Sequence, residues 1–250
     1  MNLSTSLKNF KKIHRKKYNQ SIYYSESCKD YNFIENLYKF ILVQKNSFIF
    51  ESVEKGKIRG RYTIIGFNPD KIYNINKNKV VIDSFNNKKI IKTNTLQYLN
   101  DLIKNFKVKS SNKLPRMSSM LVGYFSYDII RLIERIPDKC KKDISIPDIR
   151  LMRPKNLIIY DNLKKKIFFI QNVFKDEIIE NYELKYSLIS KSFKEFQNFG
   201  KIKLPEHFHK NLKSSVIKSN ITKKKFKNNI LKAKKYIKKG DIFQVVLSQR

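Results

Sequence analysis

At 250 residues and 41% hydrophobic side chains, the chain is long enough for one large domain or two small ones, and apolar enough to bury a core. That excludes a disordered polycation, despite a formal net charge of +33. No apolar run approaches the ~20 residues of a membrane span, so membrane-spanning helices are excluded too.

The charge itself has two readings. A strongly basic chain suggests nucleic acid or an anionic membrane surface as partner. Yet only 9 of the 54 basic residues are Arg. Arg is the residue that reads bases and grips phosphate bidentately. Ala233 is the only alanine, Gly is scarce and Trp is absent, while Lys, Asn and Ile fill the space. The enriched residues have A/T-rich codons, and the depleted ones lean on G and C. Codon drift accounts for the whole bias at once, so neither a specific nucleic acid nor a membrane is expected as partner. Cys28 and Cys140 are far apart with no metal-ligand spacing, which points to free thiols in a reducing, cytoplasmic setting. His14, His207 and His209 form no metal or catalytic pattern. The first stretch, MNLSTSLKNFKKIHRKK, is basic and acid-free, faintly like a transit peptide, and is read as an ordinary helix.

Along the chain, Phe33, Ile34, Leu37, Tyr38, Ile41 and Leu42 form one helical face over 31–44. SFIFESV, 47–53, suits a short strand, KGKIRG is a basic turn, and RYTIIGF, 61–67, is the next strand, stopped by Asn68-Pro69. KIYNI and VVID, joined across 76–79, predict a hairpin. Leu96, Leu99, Leu102, Ile103 and Phe106 mark a second amphipathic helix. MLVGYFSYDIIRLIERIP, 120–137, begins as a strand and turns helical near Ser126, and Gly123 inside it implies close backbone approach or a bulge. LIIYDNLKKKIFFIQNVF, 157–174, is the clearest hairpin, turning at Asp161-Asn162-Leu163. A long helix is predicted over 176–197, with Asp176, Glu177 and Glu180 at its positive end. Residues 198–220 lose periodicity and read as a linker. Thr222 then caps a helix that stops at Gly240. The sum is an α+β fold with mixed, largely antiparallel sheets and helices packed outside.

The last segment, IFQVVLS at 242–248, reads as a strand apolar on both faces. Left alone, such a strand offers an open hydrophobic edge, so the pattern looks like part of a larger sheet. A final strand paired on both edges by the rest of the chain is the alternative.

SNITKKKFKNNILKAKKYIKKGDIFQVVLSQR, 219–250, resembles the opening of the chorismate-binding domain in anthranilate synthase component I. Three other segments agree in order: SIYYSESCKDYNFIENLYKF with the first helix entry, FIFESVEKGKIRGRYTIIGFNP with the tryptophan-site segment, and MLVGYFSYDIIRLIERIP with the Gly-Tyr-Tyr-Asp segment. The similarity spans nearly the whole chain but only about the first half of a family member. It implies half of the chorismate-binding-enzyme sandwich: a regulatory, tryptophan-binding domain over 1–197, a linker over 198–220, and the start of the catalytic domain over 221–250.

The resemblance also implies chemistry. Ammonia from a glutamine amidotransferase subunit (component II) attacks chorismate, the 4-hydroxyl leaves, and pyruvate is eliminated to give anthranilate, with Mg²⁺ pinning a substrate carboxylate. The family's Mg²⁺-binding glutamates and its catalytic His and Glu are expected beyond Arg250. This chain alone is then expected to be inactive, and no metal ligand is assigned to it. Glu51 and Glu54 are spaced for a carboxylate pair, but sit at a strand end and its turn. Ser52 matches the Ser of the tryptophan feedback site, with Glu51 placed for the ammonium. Phe50 stands where the family usually has Leu, and Arg61 matches the Arg before Tyr that closes the pocket. Gln244 occupies the active-site strand position where related isochorismate synthases carry a Lys base for water. Gln has no titratable proton at neutral pH. That favours ammonia as nucleophile and argues against isochorismate synthase, while leaving 4-aminodeoxychorismate synthase component I and a non-catalytic tryptophan-binding fragment open.

Overall fold

The computed structural model describes residues 3–28, 31–42, 44–51, 60–84, 87–109, 111–138, 144–201 and 218–249. The chain divides into two compact units, 1–204 and 205–250.

The first unit carries strands β1 (Asn19–Ser27), β2 (Phe48–Phe50), β3 (Tyr62–Asn76), β4 (Lys79–Ser84), β5 (Asn87–Lys92), β6 (Val108–Lys109), β7 (Val122–Phe125), β8 (Ile149–Asp161) and β9 (Lys166–Val173). They form one sheet in the order β5-β4-β3-β8-β9-β1-β6, with β2 beside β3 and β7 beside β8. Every pairing is antiparallel except β1 with β6. The class is α+β, as expected. At its centre is the hairpin β8–β9, in register from Asn156↔Gln171 to Asp161↔Lys166. Its strands are buried along most of their length, as near-continuous apolar runs require. The Asp161 carboxylate accepts the backbone N–H groups of Leu163 (3.1 Å) and Lys164 (3.0 Å), which shapes the turn. The sequence pattern does not single out β1 or β5. β1 mixes Asn, Gln and Ser with its Ile and Tyr, and β5 holds two apolar residues among lysines, as suits a sheet edge.

Asn68-Pro69 does not stop a strand. Residues 62–67 and 71–75 belong to the single strand β3. The pairing steps from Pro69↔Pro154 directly to Lys71↔Arg153, so β3 carries one extra residue there, a bulge. Asn68 takes a positive φ of 52°. On the side away from β8, β2 pairs only as far as Gly66 and β4 begins at Lys71. Pro69 therefore sits where no neighbouring strand needs its missing N–H. The extra residue shifts the alternation, so Phe67 and Tyr73 join different clusters of the core. The expected 76–79 hairpin is present, with Asn76 opposite Lys79 and Lys77 at φ 47°.

Helices α1 (Leu7–Arg15), α2 (Tyr31–Leu42) and α4 (Tyr182–Lys201) cover one face of the sheet. Phe10, Ile34, Leu37, Ile41, Ile189 and Phe193 pack there on Ile65, Ile158, Ile167 and Phe169. Helix α3 (Thr95–Asn105) lays Tyr98, Leu99 and Leu102 on Tyr73, Ile75, Ile149 and Leu151. Ser6 and Asn94 cap α1 and α3 by accepting the N–H groups of Asn9 and Gln97. In the 120–137 segment the strand β7 gives way to a 3₁₀ helix, Tyr127–Leu132, after Ser126. Gly123 is required by close approach: a Cβ there would lie 1.7 Å from the carbonyl oxygen of Arg150.

The long helix starts later than 176. Its first turn is capped by Asn181, whose Oδ1 accepts the N–H of Leu184 at 2.8 Å. Asp176 and Glu177 are drawn away from a helix end by ion pairs. Asp176 meets Arg153 and Lys71, and Glu177 meets Lys155 and Lys185. Of the predicted linker, 202–217 lies outside the described residues.

In the second unit, α5 (Lys223–Lys239) is capped by Thr222 and ends at Gly240, whose φ of 78° suits glycine alone. The strand expected over 242–248 is not formed. A strand is defined by its ladder, and among the described residues nothing pairs with this segment. Phe243 is fully exposed.

Arg153 ties the first unit together. It is 7% exposed and lies over the Phe174 ring at 3.9 Å. Its Nε donates to Asp70 Oδ1 at 2.8 Å, and its Nη2 donates to the other Asp70 oxygen and to Asp176 at 3.0 Å. Burial opposes its charge, but Asp70, Tyr73 and Asp176 outweigh it and hold the guanidinium firmly protonated. Replacing one member of a buried pair strands the others. Arg153→Met is expected to lower unfolding stability by about 3 kcal/mol in urea titrations. Adding Asp70→Asn and Asp176→Asn is expected to recover most of that loss, because no uncompensated carboxylate then remains.

Candidate functional site

The residues expected at the feedback pocket come from the paired ends of β2 and β3. Phe50 closes β2 opposite Ile64, and its ring lies 4.9 Å from that of Phe48. Phe50 is half exposed, and Glu51 follows it at the surface. Because the strands are antiparallel, Arg61 at the entry to β3 belongs to the same end of the pair. Ser52 and Glu54 lie outside the described residues. The fold thus gathers Phe50, Glu51 and Arg61 at one end of one strand pair.

Arg61 has a partner that sequence patterning did not offer. Its Nε donates to Asp161 Oδ1 at 3.0 Å and its Nη2 to Oδ2 at 2.6 Å, a bidentate pair. Its guanidinium also lies 4.8 Å from the Tyr62 ring centre. Its carbonyl accepts the N–H of Asn162 at 2.8 Å. Main chain and side chain both stitch Arg61 to the β8–β9 turn. Asp161 was visible in the sequence only as a turn residue; nothing in a linear pattern links positions 100 residues apart. Burial would raise the Asp161 pKa, but the bonds from Arg61 and from the turn N–H groups outweigh it, and the carboxyl lies below its ordinary value. In this arrangement Arg61 holds the strand end in place, with its fork already filled.

Gln244 lies in the second unit, exposed, in the unpaired segment after Gly240. Among the described residues, no three His, Cys, Asp or Glu side chains gather as a metal site. Cys28 is buried and in no disulfide among the described residues, whereas Cys140, His207 and His209 lie outside the described residues. No described helix is long and apolar enough to cross a membrane.

A family model described as chorismate binding enzyme matches residues 45–250. The chain belongs to the chorismate-binding enzyme family. Its relatives in that family include anthranilate synthase component 1 of Acetivibrio thermocellus, 34% identical over 242 residues, covering 89% of this chain and 49% of the relative. The protein of that name from Saccharomyces cerevisiae is 30% identical over 211 residues, covering 83% of this chain and 40% of the relative. The chain spans about half the length of the curated relatives it matches most extensively. Among solved structures, anthranilate synthase component I from Streptococcus pneumoniae superposes with a TM-score of 0.57 at 24% identity, covering 79% of this chain and 43% of that one. That likeness supports the α+β architecture of this chorismate-binding family member.

The Arg61–Asp161 pair has a definite pH signature. A carboxyl whose folded pKa is depressed contributes stability above its unfolded value, and loses it as pH falls through the folded one. The gap in urea midpoint between wild type and Arg61→Gln is expected to be flat from about pH 7 to 5 and to shrink below about pH 4. Without Arg61 the buried Asp161 keeps its turn N–H bonds but has no cation at neutral pH, and protonation relieves it. A gap that widens on acidification would contradict this assignment.

Proposed function

We propose that this chain supplies the first part of an anthranilate synthase component I, acting on chorismate and ammonia to form anthranilate and pyruvate in tryptophan biosynthesis. The observation that carries the reading is the similarity to anthranilate synthase component 1 across 89% of the chain. Ammonia would come from a glutamine amidotransferase subunit, and Mg²⁺ would pin a substrate carboxylate when bound. The described residues offer no ligand cluster for that ion, so none of them is assigned to it.

In this proposal the first unit is the regulatory part. Ser52, Glu51 and Phe50 form the floor of a tryptophan feedback site. Arg61, held by Asp161, fixes the strand end that presents them. A charged amino acid needs a carboxylate for its ammonium and a neutral donor beside it. The Glu51-Ser52 pair supplies both. Gln244 lies in the segment that enters the catalytic part, where a side chain with no titratable proton suits ammonia rather than water as nucleophile.

A chimera tests the function directly. This chain replaces the matching segment of the Acetivibrio thermocellus relative, and chorismate is supplied with ammonium and Mg²⁺. Fluorescent anthranilate is expected, with tryptophan inhibiting the wild-type chimera and inhibiting the Ser52→Ala form at least about tenfold less potently. Formation of an aminated, non-aromatic product instead would assign the chain to the 4-aminodeoxychorismate branch. Equal inhibition of both forms would remove Ser52 from the site.

A further inference from the structure

On the helix-covered face of the sheet lies a pocket of about 730 Å³ between the β3 bulge, β4, β9 and α4. Gln171 contributes to its lining, is 92% buried (8% exposed), and its Oε1 has no hydrogen-bond partner among the described residues. Asn156, directly opposite it in register, turns its own Oδ1 to Asn68 at 3.1 Å. An orphaned buried acceptor is costly, so the site is shaped for a donor that protein side chains do not supply.

The charge around it runs against the rest of the molecule. Asp70, Asp83 and Glu195 line the pocket, against Lys45 as its one basic residue among the described ones, in a chain of net charge +33. Asp70 is neutralised by Arg153. Asp83 accepts from Asn74 at 2.8 Å, and among the described ion pairs neither it nor Glu195 meets a cation. These acceptors do not gather at a point, since the described residues contain no metal-binding cluster. They are spread over strand, helix and floor. The rings of Phe67 and Phe196, 5.2 Å apart, add an apolar wall whose faces attract organic cations.

Separated carboxylates, a deep amide acceptor and aromatic faces match a ligand with several N–H donors along an alkyl chain. We propose that this pocket binds an extended organic ammonium ion of the diamine or polyamine class. It lies on the sheet face of Phe67 and Phe196, whereas Phe48 at the β2 end packs in the cluster on the opposite face. The site is therefore separate from the feedback pocket and independent of the chorismate reading.

Titration calorimetry of the full chain with spermidine, at near-physiological salt, tests this. A protein this basic repels polycations in general, so weak sticking does not mimic a site. One saturable site per chain is expected, weakened at least about tenfold by Glu195→Gln and by Asp83→Asn. Glu195 is on the exposed surface of α4, so that substitution leaves the core untouched even where Gln171→Leu would not fold. Absence of saturable binding, displacement by millimolar Mg²⁺ alone, or equal affinity in wild type and both variants would each overturn the proposal and leave the pocket to ordered water.

Discussion

Arg153 carries a charge into the interior of the first unit, and the surrounding chain is arranged to keep that charge satisfied. Asp70 reaches it only because the β3 bulge inserts one residue opposite β8. Asp176 reaches it from a turn after β9, in which the Glu177 N–H donates to the Phe174 carbonyl at 3.0 Å, before α4 begins. Phe174 lies under the guanidinium face. A buried cation without these partners would cost several kcal/mol. One side chain therefore fixes the bulge, the delayed start of α4 and the join between the two halves of β3. The switch of β3 between core clusters follows from the same bulge.

A second Arg does similar work at the margin. Arg61 and Asp161 clamp the entry of β3 to the turn of the central hairpin. This pins the entry of β3 to the β8–β9 turn through two side-chain hydrogen bonds. A binding site built on such an end inherits its precision from the sheet. The tight contact of Gly123 with the Arg150 carbonyl brings β7 equally close to β8. Of the segments quoted from the sequence, the strands of 48–69 and 120–137 thus lie on or beside the same pair of long strands, β3 and β8.

Much of this was legible beforehand. The 157–174 hairpin, the 76–79 turn, the helices at 31–42, 95–105 and 223–239, and the strand-to-helical change near Ser126 all announce themselves by periodicity, caps or turn residues. The failures share a cause. Asn68-Pro69 looks like a stop because proline lacks a donor, but no neighbour needs that donor there. Asp176 and Glu177 look like helix starters because acids favour that end, but buried Arg153 and the half-buried Lys71, Lys155 and Lys185 claim them first. β1 and β5 hide because one is mixed and the other is a lysine-rich edge. At the candidate site, Phe50, Glu51 and Arg61 were picked out by resemblance, while Asp161 and the acceptors around Gln171 were not, since ion pairs and pockets join residues remote in sequence.

By itself the sequence determined the local vocabulary of this protein: which apolar runs favour strands, where helices are capped, where turns close, and which family the chain belongs to. These depend on side-chain period, backbone preference and short motifs, all of which act within a few residues. Only the tertiary structure decided how charges are shared across distant strands, where β3 takes its extra residue, and which face of the sheet holds an acidic pocket. It also decided that the apolar run 242–248 is no strand among the described residues. A strand is completed by its neighbour, and no property of one segment supplies the other half of a ladder.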